Sequence, residues 1–593
     1  MLSPEPAEGS KHEGDALGVS RSFSGRRWRL AESDEAAVRA LAERQQISLV
    51  LARLLSVRGV SAAADYLDPT LKKLLPEPSR LKDMDKAVAR TLAAVERGER
   101  IAVFGDYDVD GSCSAALLYD FFEAVAAPPR LYIPDRLSEG YGPSARALLA
   151  LQEEGAGLVI TVDCGAGAAE ALEAARSAGL DVVVLDHHAV ERAAPAFAQV
   201  NPNQPSDSSG QGQLCAAGVV FLFAVALNRA LRKAGFYAAR PEPDLRAALD
   251  LVGLATVCDV MPLIGVNRAY VRQGLARLAE LKRPGLASLA RVAGATPPFT
   301  PYHLGFVFGP RINAGGRVGR CSLGVDLLTT RDAAAAETFA LALDRHNRER
   351  QAIEKIILEE AEAQAAAQDN APFLLVSGEG WHPGVVGIVA GRLKERFAKP
   401  AFVAGFEGGY GRGSARSVPG IDIGAMVRAA RDKGRLEAGG GHAMAAGFSL
   451  SPAQLEPFRV FLSEAFDGAV PAEHDMVLDA IVSPRGAGPG LVADLARAGP
   501  YGAGNPEPVL LVPDAQVVFA DIVGRDHVRL RLAGGDGARL DVIAFRVATG
   551  PLGQALLAAR GRKIHAAGRL RAEQWNGQTR VQLHLDDAAP AGV

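Results

Sequence analysis

The stretch "IAVFGDYDVDGSCSAALLYDFFEAV", residues 101 to 125, decides the fold. Its first five residues are an apolar run of strand length, and from Ser112 onward apolar residues return at helical spacing. The pattern predicts a buried strand over 101–105, a helix over 112–125, and a turn between them carrying Asp106, Asp108 and Asp110. In extended chain, alternate residues point to one side, so three carboxylates there would repel one another unless positive charge sits among them. A divalent cation meets that need. A plainer role is also open to them, as turn and helix-capping aspartates in front of Gly111 and Ser112.

Two similar patterns follow, "GLVITVDCGAGAAEALEAARSAG" (157–179) and "DVVVLDHHAV" (181–190). Apolar strands alternating with helices predict a parallel α/β sheet covered on both faces. Ligands of such open sheets bind beyond the carboxyl ends of the strands. Asp163 after "LVITV" and Asp186-His187-His188 after "VVVL" therefore share an edge with the first three aspartates. Asp259, in "LATVCDVMPL", follows an apolar helical run that a proline ends just beyond it. Several carboxylates with one or two imidazoles form a hard, oxygen-rich ligand set, suited to Mn²⁺ or Mg²⁺ rather than a thiolate-seeking metal. The carboxylates suffice for two ions, and paired ions serve phosphoryl chemistry.

The flanking chain divides by composition. Residues 1 to about 24, rich in Ser, Gly, Pro and Glu, predict a disordered leader dispensable for folding. Helical spacing over about 35 to 97 precedes the sheet, and an Ala-rich stretch over 332–369 predicts a long connecting helix. A smaller α/β unit then ends near 470. After about 475, short strands with glycine turns predict a small β barrel.

At 593 residues, 48% hydrophobic and 22% charged, the chain suits a soluble protein of three or four domains. A net charge of -3 announces no nucleic acid, yet residues 525–580 hold eleven Lys or Arg against four Asp or Glu, so basicity is local to the barrel. Arg529 and Arg531 on alternate strand positions, with Trp575 beside Asn576-Gly577, suit a single-strand groove with a stacking platform. Five widely spaced cysteines form no CxxC pair and fit a reducing cytoplasm. No membrane span or signal peptide is legible. The glycines of "GGGH" (439–442), with His442, Ser414 and Arg416, offer a nest for a phosphate, to which Arg311 and Arg317 add bidentate contacts.

Taken in order, the Asp-Tyr-Asp-Val-Asp-Gly, Asp163-Cys164-Gly165, Asp186-His187-His188 and Asp259-Val260-Met261-Pro262-Leu263 segments resemble the successive motifs of the DHH phosphoesterase superfamily. "GPRINAGGRVG" (309–319), "GRGSARS" (411–417), "GGGHAMAAGF" (439–448) and "GPYGAGNPEP" (499–508) are similar to the RecJ group of single-stranded-DNA-specific exonucleases. The resemblance spans about 35 to 590. It departs mildly at Cys164, where Asn is frequent, and at "NAGGR", where "NAAGR" is frequent.

The resemblance implies an α/β DHH domain over 35–330 that includes the N-terminal helices, a connecting helix over 331–370, a DHHA1 domain over 371–470 and an OB-like barrel over 475–590. It implies a two-Mn²⁺ centre, with Mg²⁺ an alternative ion. Asp110, Asp163, His187 and Asp259 would hold one ion, Asp108 and the shared Asp163 the other, with Asp106 near it. His188 would meet the scissile phosphate. A terminal 5′-phosphate would occupy the pocket of Ser414, Arg416, Gly440, Gly441 and His442. The implied function is 5′ to 3′ exonucleolytic hydrolysis of single-stranded DNA in repair and recombination. We expect a monomer away from membranes; a helicase or a single-strand-binding protein is a conceivable partner that no motif identifies. The competing enzyme is a DHH phosphodiesterase for short oligonucleotides or cyclic dinucleotides, which would have little use for a basic barrel. A metal-free DNA-binding scaffold would have eroded carboxylates, and none is missing.

Overall fold

The computed structural model describes residues 15–591 apart from 137, 369–370, 468–474 and 576–577. The chain forms two units: one contains the chain up to Leu75, Pro262–Ala269 and the chain from Glu473 onward, the other Pro76–Met261 and Tyr270–Ala472.

The second unit is built on a parallel five-stranded sheet ordered Arg130–Tyr132, Ile101–Gly105, Leu158–Val162, Asp181–Leu185, Ala198–Val200. Ile101–Gly105 and Leu158–Val162 are buried throughout, which is why they read as unbroken apolar runs. Helices Ala145–Glu153 and Ala169–Ser177 cover one face, packing Leu148, Leu151 and Leu172 on Phe104, Val159 and Val184. Helices Val109–Ala124 and Ala216–Lys233 cover the other. The two outer strands, each three residues long, were not legible in the sequence. Nor does a helix follow "VVVLDHH" as expected: the chain runs as loop to Ala198–Val200, with the Asp186 carboxylate accepting the N–H groups of His187 and His188.

Helix Ala333–Ala366 leads to a second five-stranded sheet, ordered Ala438–His442, Ala445–Leu450, Tyr410–Arg416, Ala401–Glu407, Leu374–Glu379. Only its last two strands are parallel.

The first unit closes strands Leu510–Val523, His527–Ala533, Arg539–Ala544, Gln578–Pro590 and Lys563–Trp575 into a barrel, the first and last pairing directly. Two expectations fail here. Helices Glu35–Gln45 and Leu49–Val57, expected within the DHH domain, instead bury Leu51, Leu54 and Leu55 among Val512, Leu530, Val542 and Leu583 of the barrel. The expected leader is ordered from Asp15: Ala16 and Val19 are buried and Ser22 Oγ donates to Asp587 Oδ2 at 2.6 Å, and just beyond it the strand Trp28–Leu30, with Trp28 buried, pairs in parallel with Met476–Leu478. Two apolar anchors and one buried carboxylate suffice to dock a segment whose composition is otherwise polar. Residues 1–14 of that expected leader lie outside the described residues.

Candidate active site

The site starts at a turn. Strand Ile101–Gly105 passes into helix Val109–Ala124 so tightly that a Cβ on Gly111 would lie 2.5 Å from the Asp106 carbonyl oxygen, so only glycine fits. Asp108 is the N-cap, accepting from the Gly111 N–H at 3.0 Å, and Asn313 Oδ1 accepts the Val109 N–H at 3.1 Å. Asp110 lies in the first helical turn. The three aspartates are therefore not aligned on one side of an extended strand, as their spacing suggested. The turn sends Asp106 and Asp108 to one group of potential ligands and Asp110 to another.

Asp163 caps strand Leu158–Val162 with a left-handed backbone, φ 60°, a conformation aspartate tolerates better than most residues. Gly165 follows at φ 104°, where a Cβ would meet Thr161 Oγ1 at 2.6 Å. Asp186 ends the next strand and is saturated: Oδ1 accepts from the N–H groups of His187 at 2.7 Å and His188 at 3.1 Å, and Oδ2 from Ala166 N–H at 3.0 Å. Asn203 and Asn201 hold the carbonyls of His187 and His188 at 2.6 and 2.8 Å. Asp259 terminates helix Leu249–Cys258.

These elements converge on one point. His187 Nε2 lies 3.3 Å from Asp163 Oδ1, 3.5 Å from Asp259 Oδ2 and 3.7 Å from Asp110 Oδ2. Asp106, Asp108 and Asp163 form a second grouping, and Asp163, His187 and His188 a third. Asp106 Oδ1, Asp163 Oδ1, His187 Nε2 and Asp259 Oδ2 are all buried without a hydrogen-bond partner. Buried polar atoms are rarely left so. Donor atoms about 2.1 Å from a common ion stand roughly 3.0–3.5 Å apart, so the spacing is that of ligands around a cation. The residues fit divalent metal.

Electrostatics agrees. Burial, then the charge of Asp108, pushes Asp106 and Asp110 up to about 7, although Asp110 also accepts the N–H groups of Ala216 and Ala217 at a helix N-terminus. Burial, then Asp110 and Asp108, raises Asp259 to about 8, and Asp163 is raised well above the carboxylate range by burial and the same neighbours. Burial and the charge of His188 push His187 down to about 4, so the ring is neutral and has a lone pair to offer a metal. For His188 burial acts downward too, but the hydrogen bond and charge of Asp186, with Asp259 and Asp108, outweigh it and raise the imidazole to about 9.

Beside the carboxylates opens a cleft of about 620 Å³ lined by Asp106, Tyr107 and Asp108 on one side and by Arg317, Ser414 and Arg416 on the other. Arg416 Nη1 donates to Ser414 Oγ at 2.8 Å, and Arg317 Nη1 to the Gly384 carbonyl at 2.8 Å. Burial lowers Arg416, and burial with the charges of Arg136 and Arg350 lowers Arg317 to about 10. Neither is paired with a carboxylate among the described residues. Half-buried guanidinium groups without counter-charge suit an anionic ligand.

Sequence reasoning missed three residues here. Arg136, 5.3 Å over the Tyr107 ring, and His382 both line the cleft. Tyr141 donates to the Asp163 carbonyl at 3.1 Å and faces the His188 ring edge-on. Each is a lone residue on a loop, with no local pattern to mark it.

Other expected site residues lie elsewhere. Arg311 pairs with Asp344 at 2.9 Å and bonds the Val307 carbonyl, so its guanidinium is engaged within the fold and does not line the cleft. "GGGH" is the strand Ala438–His442, an extended backbone whose N–H groups alternate in direction and form no nest. Ala438 and Gly439 line the cleft, while Gly440, Gly441 and His442 do not, and Arg428 and Arg431 take the carbonyls of Gly441 and Gly439. In the barrel, Arg529 and Arg531 line a separate cavity of about 370 Å³ with Phe519, over which Arg529 sits at 5.3 Å, and Arg531 pairs with Asp541 at 2.8 Å. The side chain of Trp575 and residues 576–577 lie outside the described residues.

The carboxylate and histidine cluster lies at the carboxyl edge of a parallel sheet, and residues 100–256, which hold all of it but Asp259, match the model of the DHH family, N-terminal domain, which makes this a DHH-type phosphoesterase. Residues 370–468 match the DHHA1 domain and 478–587 the RecJ OB domain. The single-stranded-DNA-specific exonuclease RecJ of Escherichia coli is 34% identical over 91% of this chain and 96% of its own. That of Bacillus subtilis is 32% identical over 95% of this chain and 71% of its own. The crystal structure of Thermus thermophilus RecJ in complex with Mn²⁺ superposes with a TM-score of 0.81 at 30% identity, covering 95% of this chain and 80% of that one. The chain belongs to the RecJ family of single-stranded-DNA-specific exonucleases.

Proposed function

We propose that this enzyme degrades single-stranded DNA from a 5′ end, in DNA repair and recombination. One observation carries the chemistry: the orphaned His187 Nε2 stands 3.3 Å from the orphaned Asp163 Oδ1 and 3.5 Å from the orphaned Asp259 Oδ2, beside a cleft whose far wall holds uncompensated arginines. Asp110, Asp163, His187 and Asp259 would hold one divalent ion, and Asp106, Asp108 and the shared Asp163 a second, Mn²⁺ or Mg²⁺. Bound there, such ions polarise the phosphate and supply hydroxide at neutral pH. His188, kept protonated by Asp186, donates to a non-bridging oxygen of the scissile phosphate and offsets the charge that develops on it. Tyr141 steadies that imidazole.

Arg317, Ser414 and Arg416, helped by Arg136 and His382, receive the strand's terminal phosphate. The barrel's Arg529, beside Phe519, contacts the strand further along. The chain works as a monomer in the cytoplasm, where its five unbridged cysteines stay reduced. Among the described residues no helix is long and apolar enough to cross a membrane.

Digestion of 5′-labelled and 3′-labelled single strands with Mn²⁺ and with EDTA tests this reading. Metal-dependent release of the 5′ label as mononucleotide, while the 3′ label stays on a shortening strand, is expected; the reverse order, or cleavage in EDTA, overturns it.

A further inference from the structure

Two large aromatic side chains stand in water where nothing in the fold requires them. Tyr302 is 63% exposed and Phe306 70%, and their rings stack on each other with centroids 5.2 Å apart and planes 21° from parallel. Scattered exposed apolar residues are ordinary, but a pre-stacked pair is a single flat surface. It is also braced. Tyr302 meets His303 edge-on, His303 meets the buried Phe299, and Phe299 meets the buried Phe308. Thr300 fixes the His303 ring through its N–H at 3.1 Å.

The backbone beneath is unusual. His303–Phe308 is a π-helical turn, a form that occurs mostly in single turns and often at functional sites. It packs on the helix that ends in Asp259: Cys258 Sγ contacts the Leu304 carbonyl at 3.3 Å, and a Cβ on Gly305 would lie 3.5 Å from Val257 Cγ1. Its continuation is helix Gly309–Val318, which carries Asn313 on the Asp108 turn and Arg317 in the cleft. One short rigid segment thus links the aromatic pair to both halves of the site.

We propose that Tyr302 and Phe306 form a stacking platform for an unpaired nucleobase of the bound strand. This rests on the single-strand reading above and deepens it. Every base has an apolar face, so such a platform grips any sequence, and a paired base with both faces covered in a duplex cannot use it. Stacking would also set the register in which linkages advance to the carboxylates.

The test uses the whole chain in EDTA, so that the strand survives, with 2-aminopurine placed at successive positions of a 12-nucleotide strand. Wild type should quench one position selectively. Tyr302→Ala/Phe306→Ala should lose that quench and bind roughly tenfold more weakly. An abasic site at that position should weaken wild type by a similar factor and leave the variant unmoved. Quenching and affinity unchanged in the variant overturn the proposal, as does equal wild-type affinity for intact and abasic strands. Should the double variant not fold, the abasic arm on wild type decides alone, supported by Phe306→Leu, which keeps apolar bulk without a ring. Failure of the platform leaves wild-type metal-dependent cleavage intact, whereas failure of the single-strand reading removes that cleavage.

Discussion

His188 Nδ1 lies 2.8 Å from an Asp186 oxygen that also accepts the backbone N–H groups of both histidines. One carboxylate thereby orients two imidazoles and separates their charges, His188 protonated at about 9 and His187 neutral above about 4. Asp186→Asn should bring His188 toward or below its ordinary value, visible in a histidine ¹⁵N titration. Because the folded value of about 9 exceeds the ordinary 6.5, the stability His188 contributes is complete below about 6.5 and lost as pH rises through 9. Asp186→Asn should flatten that limb of the melting curve and slow cleavage about tenfold or more, in keeping with loss of a charge-stabilising donor. A variant with unchanged histidine shifts would remove this role.

The carboxylate cluster has the opposite consequence for the metal-free protein. Asp106 and Asp110 near 7 and Asp259 near 8 keep protons that the unfolded chain has released by about 3.8, so stability falls as pH rises between about 4 and 8. Mn²⁺ replaces those protons. The rise in Tm on adding Mn²⁺ to EDTA-treated protein should therefore grow from pH 5.5 to pH 8. A rise independent of pH would place the ion elsewhere.

Asp163 belongs to two of the three potential ligand groups. Asp163→Ala should abolish hydrolysis by orders of magnitude, as expected for dismantling a metal site, while circular dichroism and strand binding persist. Turnover above about a tenth of wild type would contradict the shared role.

Arg416→Ala removes charge-assisted bonds worth roughly 1.5–3 kcal/mol each. Single-turnover cleavage of a 5′-phosphorylated strand should slow, and its advantage over a 5′-hydroxyl strand should narrow. An equal loss on both substrates would make Arg416 a general support instead.

For the barrel, deleting residues from 475 onward would uncover Leu51, Leu54 and Leu55, so truncation is a poor probe of DNA binding. Arg529→Ala is cleaner: the slope of log affinity against log salt should decrease by about one, as expected when a single phosphate is no longer neutralised. No change in slope would exclude the groove beside Phe519.

What was legible followed from strands. Buried parallel strands write unbroken apolar runs, and their ends carried Asp106, Asp163 and His187 in plain view. The fine geometry was not legible, because whether Asp108 continues a strand or caps a helix depends on Gly111 closing against Asp106. The far wall of the cleft was half read: Ser414 and Arg416 lie in one motif, but Arg136 and His382 reach the cleft from separate loops. "GGGH" misled because a glycine run reads as turn, whereas here a sheet neighbour, Ala445–Leu450, draws it into an extended strand. The N-terminal helices misled for the converse reason, since their local helical spacing says nothing about a partner about 450 residues away.

That long-range core also orders events on the ribosome. The helices bearing Leu51, Leu54 and Leu55 emerge early, yet the strands that cover them follow only after roughly 450 more residues, about 20–90 s at ~5–20 residues per second. The intervening unit can fold first while these leucines wait uncovered. A nascent chain stalled before Leu510 would therefore carry a complete carboxylate cluster and a sticky N-terminal arm, making translation of the barrel the step that renders the enzyme safe to release.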